Sequence, residues 1–373
     1  TLNAKLIPIL IELLIIFTLI VFGCDSKKTL KVDLNNDIVN PKTYVVYKTT
    51  NSIIVDGKDD EADWLNTQFS DDFIDIEGFK TPNKKTNVKM LWDHKYLYIF
   101  AKLEEDHIWG DIIKRDDVIF HNNDFEIFIS PSNNTHNYGE VEINALGTIW
   151  DLFLNKPYRL GGKPNSEWDL DSLKSAVSYN GTLNDSSDID KYWSVELAIP
   201  LESYALLKDK PKTIPIDGEQ WRINFSRVQW DYELSNGKYS RKKEDGKFLP
   251  EYNWVWSSQG EVNMHMPENW GYIQFSDNNN SSKIEFKHKG DVLSEQIIYA
   301  LLRKIAFKDL KDLKNLNSGT EIYFKPIEIN DKIINIKFLK TYSGFNLKAN
   351  NKNIEYTINE NGLLNKIIIN KNK

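Results

Sequence analysis

Carboxylate and amide side chains alternate with apolar residues along two short β-rich runs of the sequence. The first run contributes Asp124 and Glu126, and the second contributes Glu142 and Asn144, each between apolar neighbours. Successive side chains of a strand point to opposite faces of the sheet, so each run presents a polar face opposite its apolar one. Carboxylates and amides on such a face are suited to hydrogen bonding with hydroxyl groups. The alternative is an ordinary solvated sheet face.

Aromatic residues near these runs favour a carbohydrate-binding face over a merely solvated one. Flat rings pack against the C–H surfaces of sugars, while carboxylates, amides and guanidinium groups bind the sugar hydroxyls. Two arginines, Arg115 and Arg159, are second candidates for a hydroxyl or for the carboxylate of an acidic sugar. The aromatic candidates are Phe120, Trp150, Tyr158, Trp168 and Trp256.

A succession of short strands must position these side chains. From residue 44 to residue 276, β-rich runs alternate with segments that contain Gly, Asn, Asp and Pro. All 11 Trp residues lie between Trp64 and Trp270, inside this stretch. The pattern predicts a mainly β protein in which residues 44–276 form an antiparallel β-sandwich.

The sequence after this stretch has a different character. Residues 277–290 are polar and predict a linker. Apolar residues at 293, 297, 301 and 305 then predict an amphipathic helix over residues 292–313. Short alternating strands follow at residues 321–329, 332–339 and 354–358. We therefore expect residues 291–373 to form a small α+β domain, to which no motif assigns a role.

The first residues of the chain predict export. An apolar run over residues 6–22 is followed by Gly23 and Cys24, as in a lipoprotein signal whose cleavage leaves a lipid-modified cysteine. A single transmembrane anchor is the alternative. We expect residues 1–23 to be a signal peptide, and residues 24–43 to be a tether. The result is a membrane-anchored protein of the cell envelope, periplasmic or on the cell surface.

Composition limits the partners of the protein. The formal net charge is −7 and no basic stripe is present, which argues against nucleic-acid binding. Cys24 is the only cysteine, so no disulfide framework exists within the chain.

The order of several motifs resembles that of family 9 carbohydrate-binding modules, in the superfamily of DOMON-like sandwiches. The sequence reads IVDGKDDEADW at 54–64, VKMLWD at 88–93, NDFEIFI at 123–129, WSVE at 193–196 and WGY at 270–272. The resemblance covers residues 44–275. It implies an immunoglobulin-like β-sandwich that binds poly- or oligosaccharides, and service in polysaccharide capture or catabolism.

The binding residues of that family are only partly matched. Glu126 stands where the family has a sugar-contacting Glu, and Phe120 stands where it has one of two stacking Trp residues. Glu142 corresponds to a sugar-contacting Arg, which reverses the charge, and Met264 corresponds to the second stacking Trp. Two long insertions, at residues 150–168 and 230–254, are therefore further places for a binding site.

Three other interpretations remain open from the sequence. Glu126 and Glu142 are candidates for the paired carboxylates of a glycoside hydrolase, acting on O-glycosyl bonds. Haem b is a second possibility, because DOMON-type cytochromes use Met, His or Lys ligands. Its candidate ligands here are Met264, His265 and Met266, with His121 or His136 as the opposite ligand.

A calcium ion is the third possibility. The turn with Asp56, Asp59, Asp60 and Glu61 concentrates carboxylates, which are the ligands of hard cations. Its spacing is not that of an EF-hand, and an ordinary acidic turn is the favoured interpretation. We expect no catalytic residues and assign no cofactor, with calcium as the one possibility.

Overall fold

The computed structural model describes residues 29–132, 134–205, 207, 214–279, 283–351 and 353–369. Strands dominate this part of the chain, which confirms the prediction of a mainly β fold. The α-helices are α1 (Ala62–Leu65), α2 (Leu201–Ala205) and α3 (Val292–Phe307). Single 3-10 turns lie at Asn35–Asp37, Ile119–His121, Tyr158–Leu160, Pro267–Asn269 and Lys311–Asn315.

The described residues contain 24 strands. In chain order these are β1 (Thr29–Leu30), β2 (Thr43–Lys48), β3 (Ile74–Asp75), β4 (Thr86–Trp92), β5 (Tyr96–Glu104), β6 (Asp124–Ser130), β7 (Tyr138–Asn144), β8 (Ile149–Leu154), β9 (Pro164–Asn165), β10 (Lys174–Asn180), β11 (Tyr192–Pro200), β12 (Gln220–Gln229), β13 (Tyr232–Ser235), β14 (Lys238–Arg241), β15 (Lys243–Glu244), β16 (Lys247–Phe248), β17 (Tyr252–Val255), β18 (Gly271–Ser276), β19 (Glu321–Phe324), β20 (Ile327–Ile329), β21 (Lys332–Lys340), β22 (Phe345–Asn351), β23 (Ile354–Asn359) and β24 (Leu364–Ile368).

Thirteen strands form one curled sheet that builds the sandwich. Their order is β10-β11-β5-β4-β2-β18-β12-β6-β7-β8-β9, with β17 beside β12 and β3 beside β17. Strand β2 runs parallel to both β4 and β18, whereas the other pairs of this sheet are antiparallel. The predicted β-sandwich is confirmed, with one parallel strand joining its two antiparallel parts.

Alternate residues of the strands form the core of the sandwich. In β6 the side chains of Phe125, Ile127 and Ile129 are fully buried, and Val141 and Ile143 of β7 pack in the same cluster. Burying an apolar side chain of this size stabilises the fold by roughly 1.5–3 kcal/mol. The apolar faces predicted for these two strands are therefore the core faces.

The C-terminal region is a second sheet with one helix packed on it. The sheet order is β1-β19-β21-β22-β23-β24, and β20 pairs with β21. Helix α3 buries Ile297, Leu301 and Ile305 against this sheet, which is the face that the predicted periodicity requires. The helix ends at Phe307, earlier than the predicted residue 313, and a 3-10 turn follows it.

The structure differs from the predicted tether over residues 29–43; residues 24–28 of the prediction lie outside the described residues. Strand β1 pairs in parallel with β19, and Leu34 is buried in the core of the C-terminal sheet. Arg303 of α3 also donates to the carbonyl oxygen of Asp37. Residues 29–43 are thus part of the fold, because they complete the C-terminal domain rather than extending away from it.

The predicted linker at residues 277–290 also contacts the sandwich over its described residues. The side chain of Gln220 donates to the carbonyl of Lys287 and accepts from the backbone N–H of Lys289. Beyond it, Glu268 accepts a hydrogen bond of 2.9 Å from Arg303, and both side chains are almost fully buried. The two sheets are therefore held together by buried polar contacts.

The Arg303–Glu268 pair provides a test of that interface. Arg303→Met keeps the length of the side chain but leaves a buried carboxylate without its guanidinium partner, which should cost about 3–5 kcal/mol of stability. Lys287→Met removes one member of the exposed Lys287–Glu285 pair and should change stability by less than about 0.5 kcal/mol. Denaturant unfolding of both variants measures the difference. Equal stability of the two variants would show that the buried Arg303–Glu268 pair does not stabilise the contact between the two sheets.

Candidate functional site

A cavity of about 340 Å³ lies on the face of β6, β7 and β8 that points away from the core. Both long insertions help to cover this face, the first through Tyr158 and the second through Glu251 and Asn253. Its lining consists of Ile76, Phe120, Glu126, Phe128, Glu140, Glu142, Trp150, Leu152, Tyr158, Val228, Glu251, Asn253, Val262, Asn263, Met264 and His265.

Strand pairing brings together four carboxylates, here called the floor: Glu126, Glu140 and Glu142 line the cavity, and Asp124 lies beside them. Glu126 of β6 lies directly opposite Glu142 of β7, and Asp124 and Glu140 occupy neighbouring positions on the same face. All four side chains are at most 6% exposed. The face is polar, as the sequence predicted, but it is covered by loops instead of solvated.

Burial makes ionisation of these carboxylates costly. It raises the pKa of Glu126 to about 7, against a hydrogen bond from Ser226 that lowers it. Burial also raises the pKa values of Asp124, Glu140 and Glu142 well above their ordinary range, and the charge of Glu126 raises each of them further. The floor therefore favours a bound proton or another cation.

Aromatic side chains and a neutral histidine form the walls. The backbone N–H of Phe120 donates to Glu142 and its carbonyl accepts from the indole of Trp230, so this wall is fixed on both sides. The rings of Tyr158 and His265 meet edge to face with centroids 4.4 Å apart. Burial lowers the pKa of His265 to about 3, so the imidazole is uncharged at neutral pH.

Six residues of the predicted binding set line the cavity together, although they are spread over 145 positions of the sequence. They are Phe120, Glu126, Glu142, Trp150, Tyr158 and Met264. The indole nitrogen of Trp150 is buried without a hydrogen-bond partner. The side-chain nitrogen of Asn263 is also buried without a partner, so the cavity combines flat apolar surfaces, oxygen acceptors and unused donors, as a ligand with both C–H faces and hydroxyl groups requires.

The structure does not place Asn144 or the two arginines in this cavity. Asn144 donates to the carbonyl of Ile112 and accepts from two backbone N–H groups of its own turn, so it shapes a loop. Arg115 pairs with Asp151 and Asp169, and Arg159 pairs with Glu261 at 2.8 Å. These side chains are occupied by partners within the protein.

Trp168 and Trp256 are packing residues rather than cavity walls. The ring of Trp168 packs edge-on against Tyr204, with centroids 5.7 Å apart. Trp256 is 2% exposed and packs against Phe225 in the sandwich core. These two Trp residues were binding candidates because of their aromatic character, which core and binding residues share.

Glu140, Glu251, Asn253 and His265 belong to the cavity although they were absent from the predicted set. Glu140 follows the same alternation as Glu142, so its place on this face was readable from the sequence. His265 was considered only as a haem ligand. No local signal marks Glu251 or Asn253, which reach the cavity because the second insertion turns back over the sheet.

The candidate haem ligands do not form a strand in the structure. Residues 264–266 lie in an irregular segment in which Met264 faces the large cavity and Met266 is buried beside a separate, smaller one. His265 lies 2.9 Å from the hydroxyl of Tyr138 through its Nδ1 atom. Met264 and Met266 therefore lie at different cavities.

The acidic turn uses its carboxylates separately. Asp59 pairs with Lys89, Asp56 pairs with Lys58, and Glu61 accepts from the backbone N–H of Ile54. Among the described residues, two groups of three carboxylates come within 4.8 Å of one another, and neither includes this turn. The groups are Asp116, Asp151 and Asp169, and Asp124, Glu126 and Glu142.

Fold and cavity together define a β-sandwich with a ligand-sized, aromatic-walled site on one sheet face. Residues 55–151 match the family model described as "Carbohydrate family 9 binding domain-like". This match confirms the resemblance that the sequence motifs indicated. The matched segment contains Phe120, Glu126, Glu142 and Trp150 of the cavity.

Several solved structures are similar to the chain at low sequence identity. A Bacteroides uniformis ATCC 8492 protein, provisionally assigned to carbohydrate binding, is 16% identical with a TM-score of 0.46, covering 64% of this chain and 100% of its own. A family 9 carbohydrate-binding module from Caldicellulosiruptor kristjanssonii, in complex with cellotriose, is 14% identical with a TM-score of 0.42, covering 66% and 100%. No curated protein matches the sequence.

The buried carboxylates predict a dependence of stability on pH. Glu126 binds its proton more tightly in the folded protein, with a pKa of about 7, than in the unfolded chain near 4.5. The cost of keeping the ionised group buried is therefore absent below about pH 4.5, and it grows to roughly 3 kcal/mol as pH rises through 7. Glu126→Gln should raise the melting temperature at pH 8 and change it little at pH 5.

Thermal melts from pH 5 to pH 8, in buffers with a metal chelator, measure this effect. The exposed Glu285→Gln serves as the control and should melt like the parent protein at each pH. A Glu126→Gln variant whose melting temperature follows the parental curve at both ends would contradict the assignment of the raised pKa to Glu126.

Proposed function

We propose that the protein binds carbohydrate, without cleaving it, in the cavity on β6, β7 and β8. This proposal rests on one observation: aromatic walls and carboxylates of the floor line the same cavity, and most of them lie in the segment that matches the family model. A cavity of about 340 Å³ is at the small end of the range for ligand sites. We expect it to take one or two sugar units of an oligosaccharide.

The walls and the floor have separate roles in this proposal. Trp150 and Phe120 offer rings to the C–H face of a sugar, and the oxygens of Glu126 and Glu142 accept from its hydroxyl groups. In the resembling family, an Arg stands in place of Glu142 and a Trp in place of Met264. The preferred sugar or its orientation should therefore differ from that of the family.

The arrangement of the carboxylates favours binding over hydrolysis. Glycoside hydrolases flank the scissile bond with an acid and a base or nucleophile. Glu126 and Glu142 lie directly opposite one another on neighbouring strands and on one face of the sheet. They approach a bound sugar from the same side, which suits a cluster of hydrogen-bond acceptors.

Export and lipid anchoring are the second part of the proposal. They rest on the apolar run and on Val21-Phe22-Gly23-Cys24, which lie outside the described residues. In the part of the chain that the structure describes, no helix is long and apolar enough to cross a membrane. An anchored sugar-binding protein of this kind would hold polysaccharide close to the cell for catabolism.

Binding is tested by screening the purified chain on a glycan array and titrating the best oligosaccharide. Trp150→Ala should weaken binding about tenfold or more, equivalent to roughly 1.4 kcal/mol, because it removes a stacking surface. Tyr252→Ala removes a half-exposed ring from a different groove and should leave affinity unchanged. Melting curves for both variants confirm folding.

Two results would contradict the proposed site and its passive role. Parental affinity in a folded Trp150→Ala variant would place binding elsewhere. Steady release of reducing ends from the bound oligosaccharide, abolished by Glu126→Gln, would show a glycoside hydrolase.

Lipid anchoring is tested separately at Cys24. Cys24→Ser should abolish incorporation of a labelled fatty acid and leave the precursor uncleaved, because the sulfur atom is the site of lipid attachment. Ser26→Ala, two positions away, is the control and should be labelled normally. Labelling of Cys24→Ser at the parental level would show that the anchor is a different segment.

A further inference from the structure

We propose that Asp124, Glu126 and Glu142 hold a calcium ion at the floor of the cavity. One carboxylate oxygen from each of the three residues lies within 4.8 Å of the others. Calcium binds oxygen at about 2.3–2.6 Å, so two oxygens on opposite sides of one ion are about 5 Å apart. A single ion therefore reaches all three side chains without a change in the strands.

The surroundings of Asp124 independently support a cation at this position. Its side chain is fully buried, and neither of its carboxylate oxygens accepts a hydrogen bond of normal geometry. Ser226, which lies directly opposite Glu126 on the adjoining strand, is fully buried beside these carboxylates. Leaving a carboxylate buried and unpaired is costly, and a cation between these oxygens removes that cost.

The second group of three carboxylates shows how the protein treats such a cluster elsewhere. There the guanidinium of Arg115 lies within 4.0 Å of Asp116, Asp151 and Asp169. Over the described residues, the ion pairs formed by Lys, Arg and His side chains include none with the three residues of the floor. One cluster carries its own cation, and the other has room for one.

The donor set favours calcium among the common ions. All ligands are oxygens, which suits hard cations rather than soft or imidazole-seeking metals. Calcium accepts irregular coordination by oxygens at about 2.3–2.6 Å, whereas magnesium requires a near-ideal octahedron at about 2.0–2.1 Å. Glu142 also accepts from the backbone N–H of Phe120 at 3.1 Å, which orients it as a second shell of hydrogen bonds orients metal ligands.

The ion also gives the floor a way to bind sugar hydroxyls. Three carboxylate ligands leave positions of the calcium coordination sphere open, and the cavity lies above them. Two neighbouring hydroxyls of a sugar ring are hard oxygen ligands that can fill these positions. This step rests on the proposed function, whereas the ion site itself does not.

The test begins with calcium alone. The full chain, treated with a chelator and dialysed, is titrated with calcium chloride by calorimetry and followed by thermal melts. We expect one site and a melting temperature that rises by about 5 °C when calcium is at about 100 times its dissociation constant. Absence of heat and of any thermal shift overturns the site, and an equal response to magnesium chloride overturns the choice of calcium.

Matched variants locate the ion. Asp124→Asn keeps the shape of the side chain and should weaken calcium binding at least tenfold, while its circular dichroism stays parental. Asp169→Asn, in the cluster that Arg115 occupies, should bind calcium like the parent. Parental affinity in Asp124→Asn, or loss of binding in Asp169→Asn, overturns the assignment to the floor.

A third arm separates this inference from the proposed function. Binding of cellotriose, xylotriose and the best array oligosaccharide is measured with calcium chloride and again with excess chelator. At least a tenfold loss in chelator supports coordination of the sugar by the ion. Sugar binding that is unaffected in chelator overturns this role of the ion and leaves carbohydrate binding intact.

Discussion

Strand β6 is buried on both of its faces, and the architecture of the cavity depends on this constraint. One face carries Phe125, Ile127 and Ile129 into the sandwich core, and the other carries Asp124 and Glu126 beneath the covering loops. Because side chains alternate along a strand, the polar residues cannot turn toward solvent without withdrawing the apolar ones from the core. The fold thus places carboxylates where little water reaches them, and their raised pKa values follow from this burial.

Local pattern was sufficient to predict the sandwich and the direction in which its strands face. The alternation around Glu126 and Glu142 set both the core residues and the floor of the cavity. The pattern did not predict the loops that cover the polar face of the sheet. Whether an outward-facing Glu is solvated or buried depends on Tyr158, Asn253 and other residues far along the chain, and no property of the strand itself reports their approach.

The same limit explains the residues that were misplaced. Arg115 and Asn144 have the functional groups that sugars attract, but near partners such as Asp151 and the Ile112 carbonyl already use them. Trp256 has a suitable ring, but it lies in the core. Chemical type identifies what a side chain can bind, and only the three-dimensional surroundings show whether it is free to do so.

The parallel pairing of β1 with β19 joins residues that lie almost 300 positions apart in the chain, so sequence periodicity gave no sign of it. This pairing has a geometric consequence for an anchor at Cys24. Thr29 is five residues further on, and a chain of that length spans at most about 18 Å when fully extended. A lipid on Cys24 would therefore hold the start of the C-terminal sheet within about 18 Å of the membrane surface. A protein anchored in this way could bind only polysaccharide that has already come close to the membrane.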